Sequence, residues 1–311
     1  MTWLLWRQHR VSGALAAGLL AIFGVLLWVT GVTMAHDYRT ALSECGKVGT
    51  DCSGLNLFQG DGAVIDLVNL TVAIPVLIGV FWGATSVGRE YDAGTNLLVW
   101  TQSVTRRRWM WAKVLTLLSS SLLVGAALSG MVTWWSGTQN SYHQNRFDPL
   151  QFDIQGLMPA SYTLFAAALG LLAGVLWRRV LPAIVTTVVG FVAVRFLIEN
   201  YLRQHYAKAV TTIDPAVVNG DQPRGAWSLH GDLLHNGSVV SGPIPVPRDC
   251  IAVQSRAEMT ACLQRNGYHF SQTYQPANRY WTFQWIESGI FVAIAAVLVA
   301  IAVITVRRRD A

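Results

Sequence analysis

Six long apolar runs alternate with polar segments along the chain of 311 residues. Each run has about 18 to 25 residues, which is the length of helix that crosses the apolar core of a bilayer. The pattern predicts an all-α integral membrane protein with six transmembrane helices. The predicted spans are residues 11–35, 67–87, 114–135, 160–177, 180–198 and 283–306.

The N-terminal segment 1–10 is at best amphipathic and combines tryptophan with arginine. These residue types suit a helix that lies in the membrane interface, although an ordinary tail before the first span is the alternative. The run 11–35 carries no charge and is longer than the ~7–15 apolar residues of a signal peptide. We therefore predict a membrane span there and not a cleaved leader.

The composition agrees with a membrane protein. Hydrophobic residues make up 52% of the chain and charged residues 13%, about half the share of a soluble domain. The mean hydropathy is +0.38. The net charge of +6 is typical of nucleic-acid-binding proteins too, but basic loops are common in polytopic membrane proteins. We expect membrane lipids around the chain and no nucleic acid.

Basic residues indicate the orientation. If the N-terminus is cytosolic, the inner segments carry 12 Lys and Arg in about 45 residues, and the outer segments 10 in about 135 residues. The density is about threefold higher inside. This asymmetry predicts a plasma-membrane protein with both termini and residues 88–113 in the cytosol. The largest polar block, 199–282, is then an external loop between spans 5 and 6, and 283–311 holds span 6 and the cytosolic tail.

The four cysteines all fall in segments predicted to be external, where oxidation is permitted. Four cysteines allow three pairings. We expect the local pairs Cys45–Cys52 and Cys250–Cys262, since each pair lies within one loop. A metal site from these cysteines and the external histidines is disfavoured, because no C-x-x-C or H-x-x-x-H spacing occurs.

The segment 88–113, here called the elbow, is polar, lies between spans 2 and 3, and still has the pattern of ordered structure. Gly94 is expected to break a helix, and Thr95 to cap a short helix over residues 96–102. That short helix carries several apolar residues although it spans no membrane. Ser103 or Thr105 can cap the next helix. Such a segment predicts a docking surface for a cytosolic partner.

The elbow also shows a recognisable motif, R-E-x-x-x-G-T-x-x-L-x-x-T-x-S-x-x-R-x-x-W-x-x-x-K, from Arg89 to Lys113. It resembles the loop between the second and third spans of ABC-2-type permeases, the membrane subunits of certain ABC exporters. The Trp- and Arg-containing start of the chain is similar to that of actinobacterial multidrug or antibiotic exporter permeases. The rest of the resemblance is topology.

This resemblance implies a working unit of two permease subunits, expected to be a homodimer, and two ABC ATP-binding subunits. The elbow would contain a cytosolic coupling helix on which the ATPase docks. Arg89 and Glu90 would make charged contacts, the apolar residues of segment 96–102 would fill a groove, and residues 106–108 would bind anionic headgroups. The residues expected at this interface are Arg89, Glu90, Tyr91, Gly94, Thr95, Leu97, Leu98, Trp100, Thr101, Ser103 and Arg106.

Sequence motifs for catalysis are missing from the chain. It has no G-x-x-x-x-G-K-[ST] loop to cradle phosphates, and no H-E-x-x-H or G-x-S-x-G motif. We therefore expect no enzyme activity, catalytic residue, metal or cofactor in this chain. ATP and Mg would be bound by the partner ATPase.

Three residues are candidates for a gate or substrate path. Pro75, in the middle of the second span, is expected to kink its helix. Arg195 is a charge inside the fifth span, and Glu199 comes at i+4 on the same helical face. The pair is expected either to form a polar latch or substrate contact, or merely to extend to the interface.

Export of a hydrophobic or amphipathic compound, such as an antibiotic, lipid or peptide, is the function that the resemblance favours. The alternative is a non-transporting sensor or scaffold that acts through the external loop 199–282. An intramembrane enzyme is disfavoured because no catalytic constellation is present.

Overall fold

A computed structural model describes most of the protein. The described residues are 2–48, 62–94, 105–143, 146–213, 225–240, 247–251 and 256–309. They belong to two compact units. The membrane unit comprises Met1–Tyr142, Pro149–Leu197 and Gln284–Ala311, and the insert unit comprises His143–Asp148 and Ile198–Phe283.

Helices dominate the chain because a long apolar segment in a bilayer has to satisfy its backbone groups internally. Most of them belong to the membrane unit, whereas α9 belongs to the insert unit. In chain order they are α1 (Thr2–Val48), α2 (Gly62–Asn69), α3 (Ile74–Ile78), α4 (Thr85–Asp92), α5 (Arg106–His143), α6 (Pro149–Ile154), α7 (Met158–Trp177), α8 (Val180–Leu197), α9 (Arg256–Arg265) and α10 (Tyr280–Arg309).

Six helical stretches in the described part of the chain are long and apolar enough to cross a membrane. They occur in the order that the hydropathy pattern predicts, so the six-span prediction is confirmed. The stretches are Gly13–Glu44, Gly62–Asp92, Arg108–Gly137, Met158–Trp177, Val180–His205 and Ala277–Arg308.

The second stretch is not one regular helix. A 3-10 turn, Leu70–Ala73, separates α2 from α3, and a π-helical turn, Gly79–Ala84, separates α3 from α4. Pro75 lies buried in the first turn of α3. Proline has no N–H to donate to the preceding turn, which accounts for a break in the regular helix at this point. The irregularity expected at Pro75 is therefore present, and its role in a gate stays a prediction.

Several helices extend beyond the predicted spans. α1 runs without interruption over Thr2–Val48, so residues 2–10 and the polar residues 36–48 continue the first membrane helix. The sequence from 2 to 48 contains no proline that would stop a helix. Hydropathy locates the apolar part of a helix, whereas its ends depend on capping and on the residues beyond them.

The central helix of the membrane unit is α7. Its apolar window is 72% buried, whereas the corresponding windows of the other spans are 11% to 33% buried. Small residues allow this burial because they let backbones approach closely. A Cβ added at Gly170 would lie 2.2 Å from the carbonyl oxygen of Gly79, and one at Gly174 would lie 2.9 Å from that of Ala84.

A second packed region joins α1, α2, α5 and α6. Trp135 on α5 is fully buried there, and its Nε1 donates to Thr30 Oγ1 on α1 at 3.1 Å. A buried tryptophan N–H needs such an acceptor. The buried members of this cluster are Leu27, Met34, Val68, Val132, Trp135 and Ile154.

The insert unit contains an antiparallel four-stranded sheet in the order β1-β4-β2-β3, and this corrects the prediction of an all-α fold. Its strands are β1 (Val210–Ile213), β2 (Trp227–His235), β3 (Ser238–Val239) and β4 (Tyr268–Gln275). In the register, Val210 pairs with Tyr274, and Leu233 pairs with Phe270. The hydropathy pattern did not predict these strands, because hydropathy averaged over long windows does not detect short amphipathic strands.

A two-residue turn, Asn236-Gly237, connects β2 to β3. Both residues have positive φ, 49° for Asn236 and 84° for Gly237. Asn-Gly is the strongest short-range hairpin signal, since a type I′ turn needs positive φ at both central positions. The sequence therefore carries a readable β-hairpin signal that averaged hydropathy does not reveal.

The disulfide Cys250–Cys262 is present in the insert unit, as predicted. It links the 3-10 turn Arg248–Cys250 to α9. Both cysteines are buried, and Asn266 Nδ2 donates to the carbonyl of Cys262 at 2.9 Å beside them. The predicted pair Cys45–Cys52 lies outside the described residues.

Aromatic rings form the core of the insert unit. Phe147 stacks on Trp227 with ring centroids 6.0 Å apart, and it meets Phe283 edge to face at 5.2 Å. Tyr280 and Tyr206 complete the cluster through edge-type contacts with Phe147 and Phe283, respectively. Aromatic pairs of this kind contribute about 0.5–1.5 kcal/mol beyond area burial.

Candidate functional site

The first part of the elbow is the end of α4. Ala93 N donates to the carbonyl of Arg89 at 3.0 Å, and Gly94 N donates to that of Tyr91 at 3.2 Å. Gly94 has a φ of +65°, a conformation that glycine adopts without a steric penalty. The prediction that Gly94 ends a helix is confirmed.

Lys113 ties the end of α4 to α5. Its side chain is 4% exposed, and its ammonium group forms an ion pair with the carboxylate of Glu90, which is 14% exposed. Lys113 Nζ also donates to the carbonyl of Ser86 at 2.8 Å. Two residues at opposite ends of the predicted elbow are thus joined within the chain. Glu90 thus has a partner within the chain, and its expected charged contact with the ATPase stays a prediction.

The ring of Tyr91 at the end of α4 contacts both α5 and the turn after α7. Its ring meets Trp109 edge to face with centroids 6.5 Å apart. The guanidinium of Arg178 also lies against the ring, 5.0 Å from its centroid. Arg178 has a left-handed conformation, with φ 53°, and ends α7. Tyr91 therefore connects the second, third and fourth spans.

Asp92 adds a contact to the start of α8, because its Oδ2 accepts a hydrogen bond from Val180 N at 3.5 Å. A carboxylate at a helix N-terminus is favoured by the unpaired N–H groups there. We call the set Glu90, Tyr91, Asp92, Lys113 and Arg178 the elbow junction. It joins the end of α4 to α5 and to the turn between α7 and α8.

The remaining predicted interface residues lie at or beyond the edge of this junction. Arg89 is exposed beside it. Arg106 starts α5, and its side chain lies outside the described residues, as does the predicted coupling helix over 96–102. The interface residues that lie wholly outside the described residues are Thr95, Leu97, Leu98, Trp100, Thr101 and Ser103.

A second polar site lies inside the membrane unit, far along the sequence from the elbow. Arg195 on α8 forms an ion pair with Asp153 on α6, whose side chain is fully buried. Tyr162 Oη on α7 lies 2.9 Å from Asp153 Oδ1 and 3.0 Å from Glu287 Oε1 on α10. The Arg195 guanidinium also lies 5.6 Å from the centre of the Tyr162 ring. We call Asp153, Tyr162, Arg195 and Glu287 the polar cluster.

The short helix α6 brings Asp153 into the membrane unit. Its neighbours Phe152 and Ile154 are buried as well. The chain directly after α6 is not helical, and side chains form hydrogen bonds with the backbone groups in this region. Gln284 Nε2 donates to the carbonyl of Phe152 at 3.0 Å, and Leu157 N donates to Gln284 Oε1 at 2.8 Å. Irregular backbone is tolerated in a membrane protein where protein groups bind it in this way.

Gly156 shows how tightly this segment is held. It has a φ of +64°, and its N–H donates to Thr133 Oγ1 on α5 at 2.8 Å. Its carbonyl accepts a hydrogen bond from Ser129 Oγ, also on α5. A Cβ at Gly156 would lie 2.7 Å from Gln284 Oε1, so the position suits glycine alone. Helices α5 and α10 therefore hold the segment in place.

Arg195 has a partner that the sequence did not indicate, because the structure pairs it with Asp153. Glu199 lies in the π-helical turn Ile198–Leu202, and the polar latch or substrate contact expected of Arg195 and Glu199 stays a prediction. Asp153 stood in a polar loop without any distinguishing signal. Glu287 carries a signal that could have found it, since it is an acidic residue inside the apolar run 283–306.

Comparison with known families supplies the identity. The family model described as "ABC-2 membrane transporter related" matches residues 17–203, which is more than half of the chain. The matched range includes the elbow junction, the second, third and fourth spans, and most of the first and fifth. No curated protein and no solved structure gave a match. The chain therefore belongs to the ABC-2 membrane transporter related family and is a multi-pass membrane component of an ABC transporter.

Proposed function

We propose that this chain is the permease subunit of an ATP-driven ABC exporter and that the elbow junction transmits the motion of the ATPase to the spans. The family works with ATP-binding subunits, and the high density of Lys and Arg favours a cytosolic elbow. In this orientation both termini are cytosolic, and the insert unit is external.

The observation that carries the proposal is the double attachment of α4. Glu90 ties it to α5 through Lys113, and Tyr91 and Asp92 tie it to the turn between α7 and α8. A displacement of the elbow therefore acts on four spans together. Packed helices respond to such a displacement by moving between discrete arrangements, because close-packed interfaces do not deform continuously.

The buried ion pair suits a transmitting contact better than an exposed one. Surface pairs contribute about 0–1 kcal/mol, whereas removing one partner of a buried pair costs about 3–5 kcal/mol. Lys113 and Glu90 are both largely buried, so the end of α4 is held firmly to α5. The exposed Arg89 and the segment 95–104 are left to contact the ATPase.

The working unit in this proposal has two copies of this permease and two ATP-binding subunits. ATP and Mg are bound by those subunits, and this chain contributes no ATPase activity. The substrate is a hydrophobic or amphipathic compound, such as an antibiotic, a lipid or a peptide. ATP-driven closure of the ATPases shifts the spans between inward- and outward-open states.

Site-specific photo-crosslinking in native membranes tests this function. A photoreactive amino acid at position 98 of the elbow should attach to an ATP-binding cassette protein, identified by mass spectrometry. The same amino acid at Val239, which is exposed in the insert unit, is the matched control and should not attach to it. Crosslinks from position 98 to lipid alone, or to the same proteins as the control, would contradict the proposal.

The variant Leu98→Asp gives a second test. Burying a leucine contributes about 1.5–3 kcal/mol, so replacing it with a charge should weaken copurification of the ATPase at least about tenfold. ATP hydrolysis and export should fall with it. A variant that assembles, hydrolyses ATP and exports like the parent would remove the elbow from the coupling mechanism.

A sensor or scaffold is the second candidate function, and the insert unit favours it. This unit has its own aromatic core, sheet and disulfide, and large apolar side chains are exposed on it, including Ile213 at 61% and Ile251 at 68%. Stimulation of the ATPase by a small molecule would support transport. Stimulation only by a protein that binds the insert unit would support the scaffold.

A further inference from the structure

Residues 149–157, here called the re-entrant segment, contact all six spans of the membrane unit. Ile154 packs in one buried cluster with Leu27 and Met34 of the first span. Side chains from the other five spans bind the segment through hydrogen bonds or an ion pair. The residues that bind it from the second to the sixth span are Asn69, Ser129, Thr133, Tyr162, Arg195 and Gln284. The segment is therefore the place where the spans meet.

The re-entrant segment lies at the end of the membrane unit opposite the elbow junction. Ser129 and Thr133, which bind Gly156, follow Lys113 by about 24 and 30 Å along α5, at a helical rise of ~1.5 Å per residue. Both belong to the stretch Arg108–Gly137, which is long and apolar enough to cross a membrane. The apolar core of a bilayer is about 30 Å thick, so the segment and the elbow junction lie near opposite faces of the membrane.

The segment fills the interior of the bundle at this end. Phe152, Asp153, Ile154 and Gln155 are each at most 2% exposed. Each span is attached to the segment separately, so any movement of the spans away from one another at this end breaks contacts with it. An opening between the spans at this end therefore requires the segment to be displaced.

The backbone of the segment is suited to a place that is dry in one state and wet in another. Gly156 N donates to Thr133 Oγ1 at 2.8 Å, and the carbonyl of Phe152 accepts a hydrogen bond from Gln284 Nε2 at 3.0 Å. These partners are side chains of other helices, and water can form equivalent hydrogen bonds when the helices separate. Irregular backbone at membrane depth is tolerated in both settings, buried in protein or lining a water-filled cavity.

We propose that the re-entrant segment is the plug that closes the permease on the side opposite the elbow junction, and that it is displaced into water when the permease opens to that side. The proposal rests on the proposed function, since a plug is needed only in a protein that opens. Motion that the elbow junction passes to the spans reaches the plug through its attachment to each of them. In this structure the plug is closed.

Cysteine accessibility tests the plug in the purified complex of full-length permease and ATP-binding subunit in lipid nanodiscs. On a cysteine-free background, Gln155→Cys replaces a side chain that is 1% exposed. A small hydrophilic methanethiosulfonate should modify it slowly without nucleotide and at least about tenfold faster after trapping with ATP and vanadate, because trapping shifts the population to the open state. Ser136→Cys, at a fully buried position on α5, is the matched control and should react slowly in both conditions.

ATP hydrolysis by the same complex separates failure of the plug from failure of the proposed function. If the complex hydrolyses ATP but Gln155→Cys stays as slow as Ser136→Cys in both conditions, the segment only holds the bundle together, and the plug is overturned while the proposed function stands. If position 98 of the elbow gives no crosslink to an ATP-binding subunit, both proposals are overturned. Where Gln155→Cys does not fold, Ile154→Cys, also 1% exposed, takes its place.

A second variant loosens the plug without nucleotide. Gln284→Met removes both hydrogen bonds between the Gln284 amide and the segment, to Phe152 and Leu157, and keeps a side chain of similar length. Combined with Gln155→Cys, it should raise the rate of modification in the nucleotide-free complex severalfold. Gln275→Met is the matched control, since Gln275 is a buried glutamine of the insert unit whose amide also binds backbone carbonyls, and it should leave the rate unchanged. Equal rates for Gln284→Met and the control would also overturn the plug.

Discussion

Gly170 on α7 and Gly79 in the π-helical turn of the second span are in backbone contact, because a Cβ on Gly170 would lie 2.2 Å from the carbonyl oxygen of Gly79. Backbone atoms cannot move aside as a flexible side chain can. This contact holds the irregular second span against the central helix of the membrane unit. Small residues at this point therefore determine how closely the two helices pack.

Gly170→Ala should destabilise the protein, because its methyl group would overlap both Gly79 and the nitrogen of Ala84, 2.7 Å away. Overpacking of this kind costs about 1–3 kcal/mol or more. The thermal unfolding midpoint in detergent should fall accordingly. Gly130→Ala on α5 is the matched control, since no atom lies within 4 Å of its added Cβ, and its midpoint should stay near that of the parent. Equal midpoints for the two variants would contradict the close contact.

The spans and their order could be predicted from the sequence because each span is a long uninterrupted run, for which periodicity need not be judged. The helix end at Gly94 and the bond Cys250–Cys262 could be predicted too, since both depend on local chemistry. The helix α6 was not predicted. Its six residues are too few for a clear pattern, and tertiary contacts with Gln284 hold the chain after it.

The partners inside the candidate sites could not be derived in the same way. Lys113 and Glu90 are 23 residues apart, and Arg195 and Asp153 are 42 apart. Spacing along one helix suggests partners at i+4, but it does not reveal a carboxylate that tertiary packing brings from another helix, as it brings Asp153 to Arg195. Only the presence of a charge in an apolar run, as at Glu287, can be read before the fold is known.

Lys113→Met should destabilise the elbow junction by about 3–5 kcal/mol, because it leaves the carboxylate of Glu90 without its ion-pair partner in a largely buried place. The double variant Glu90→Gln with Lys113→Met should recover most of this loss, since no uncompensated charge remains. Thermal unfolding of the parent, both single variants and the double variant measures the coupling. Strictly additive effects would show that the two residues do not interact.

The same variants distinguish the contribution of the Glu90–Lys113 pair to stability from its contribution to the transmission of motion. The double variant removes the charged tie between α4 and α5 but keeps the bulk of both side chains. We expect it to fold and to copurify with the ATP-binding subunit, yet to export more slowly for each ATP hydrolysed. Export per ATP at the parent level would show that this tie does not carry the motion.

Cys250→Ser combined with Cys262→Ser should destabilise the insert unit alone. A bond between cysteines 12 residues apart contributes about 3 kcal/mol through the entropy of the unfolded chain. Limited proteolysis should then cut faster within 199–282, while cleavage elsewhere stays unchanged. Reduction of the parent should reproduce the effect. If the oxidised and the reduced parent were cut at the same rate, the sheet and the aromatic core around Phe147 would be sufficient to keep this unit folded without the disulfide.

Single-cysteine labelling in intact cells tests the orientation. On a cysteine-free background, His230→Cys should react with a membrane-impermeant maleimide added outside, because the His230 side chain is 71% exposed and the insert unit is expected to be external. Trp100→Cys, in the elbow, should react only after the cells are opened. The reason is the threefold higher density of Lys and Arg in the segments assigned to the cytosol, which resist translocation. If position 100 were labelled from outside and position 230 were protected, the protein would have the opposite orientation. The elbow junction would then lie on the external side of the membrane, where cytosolic ATP is absent.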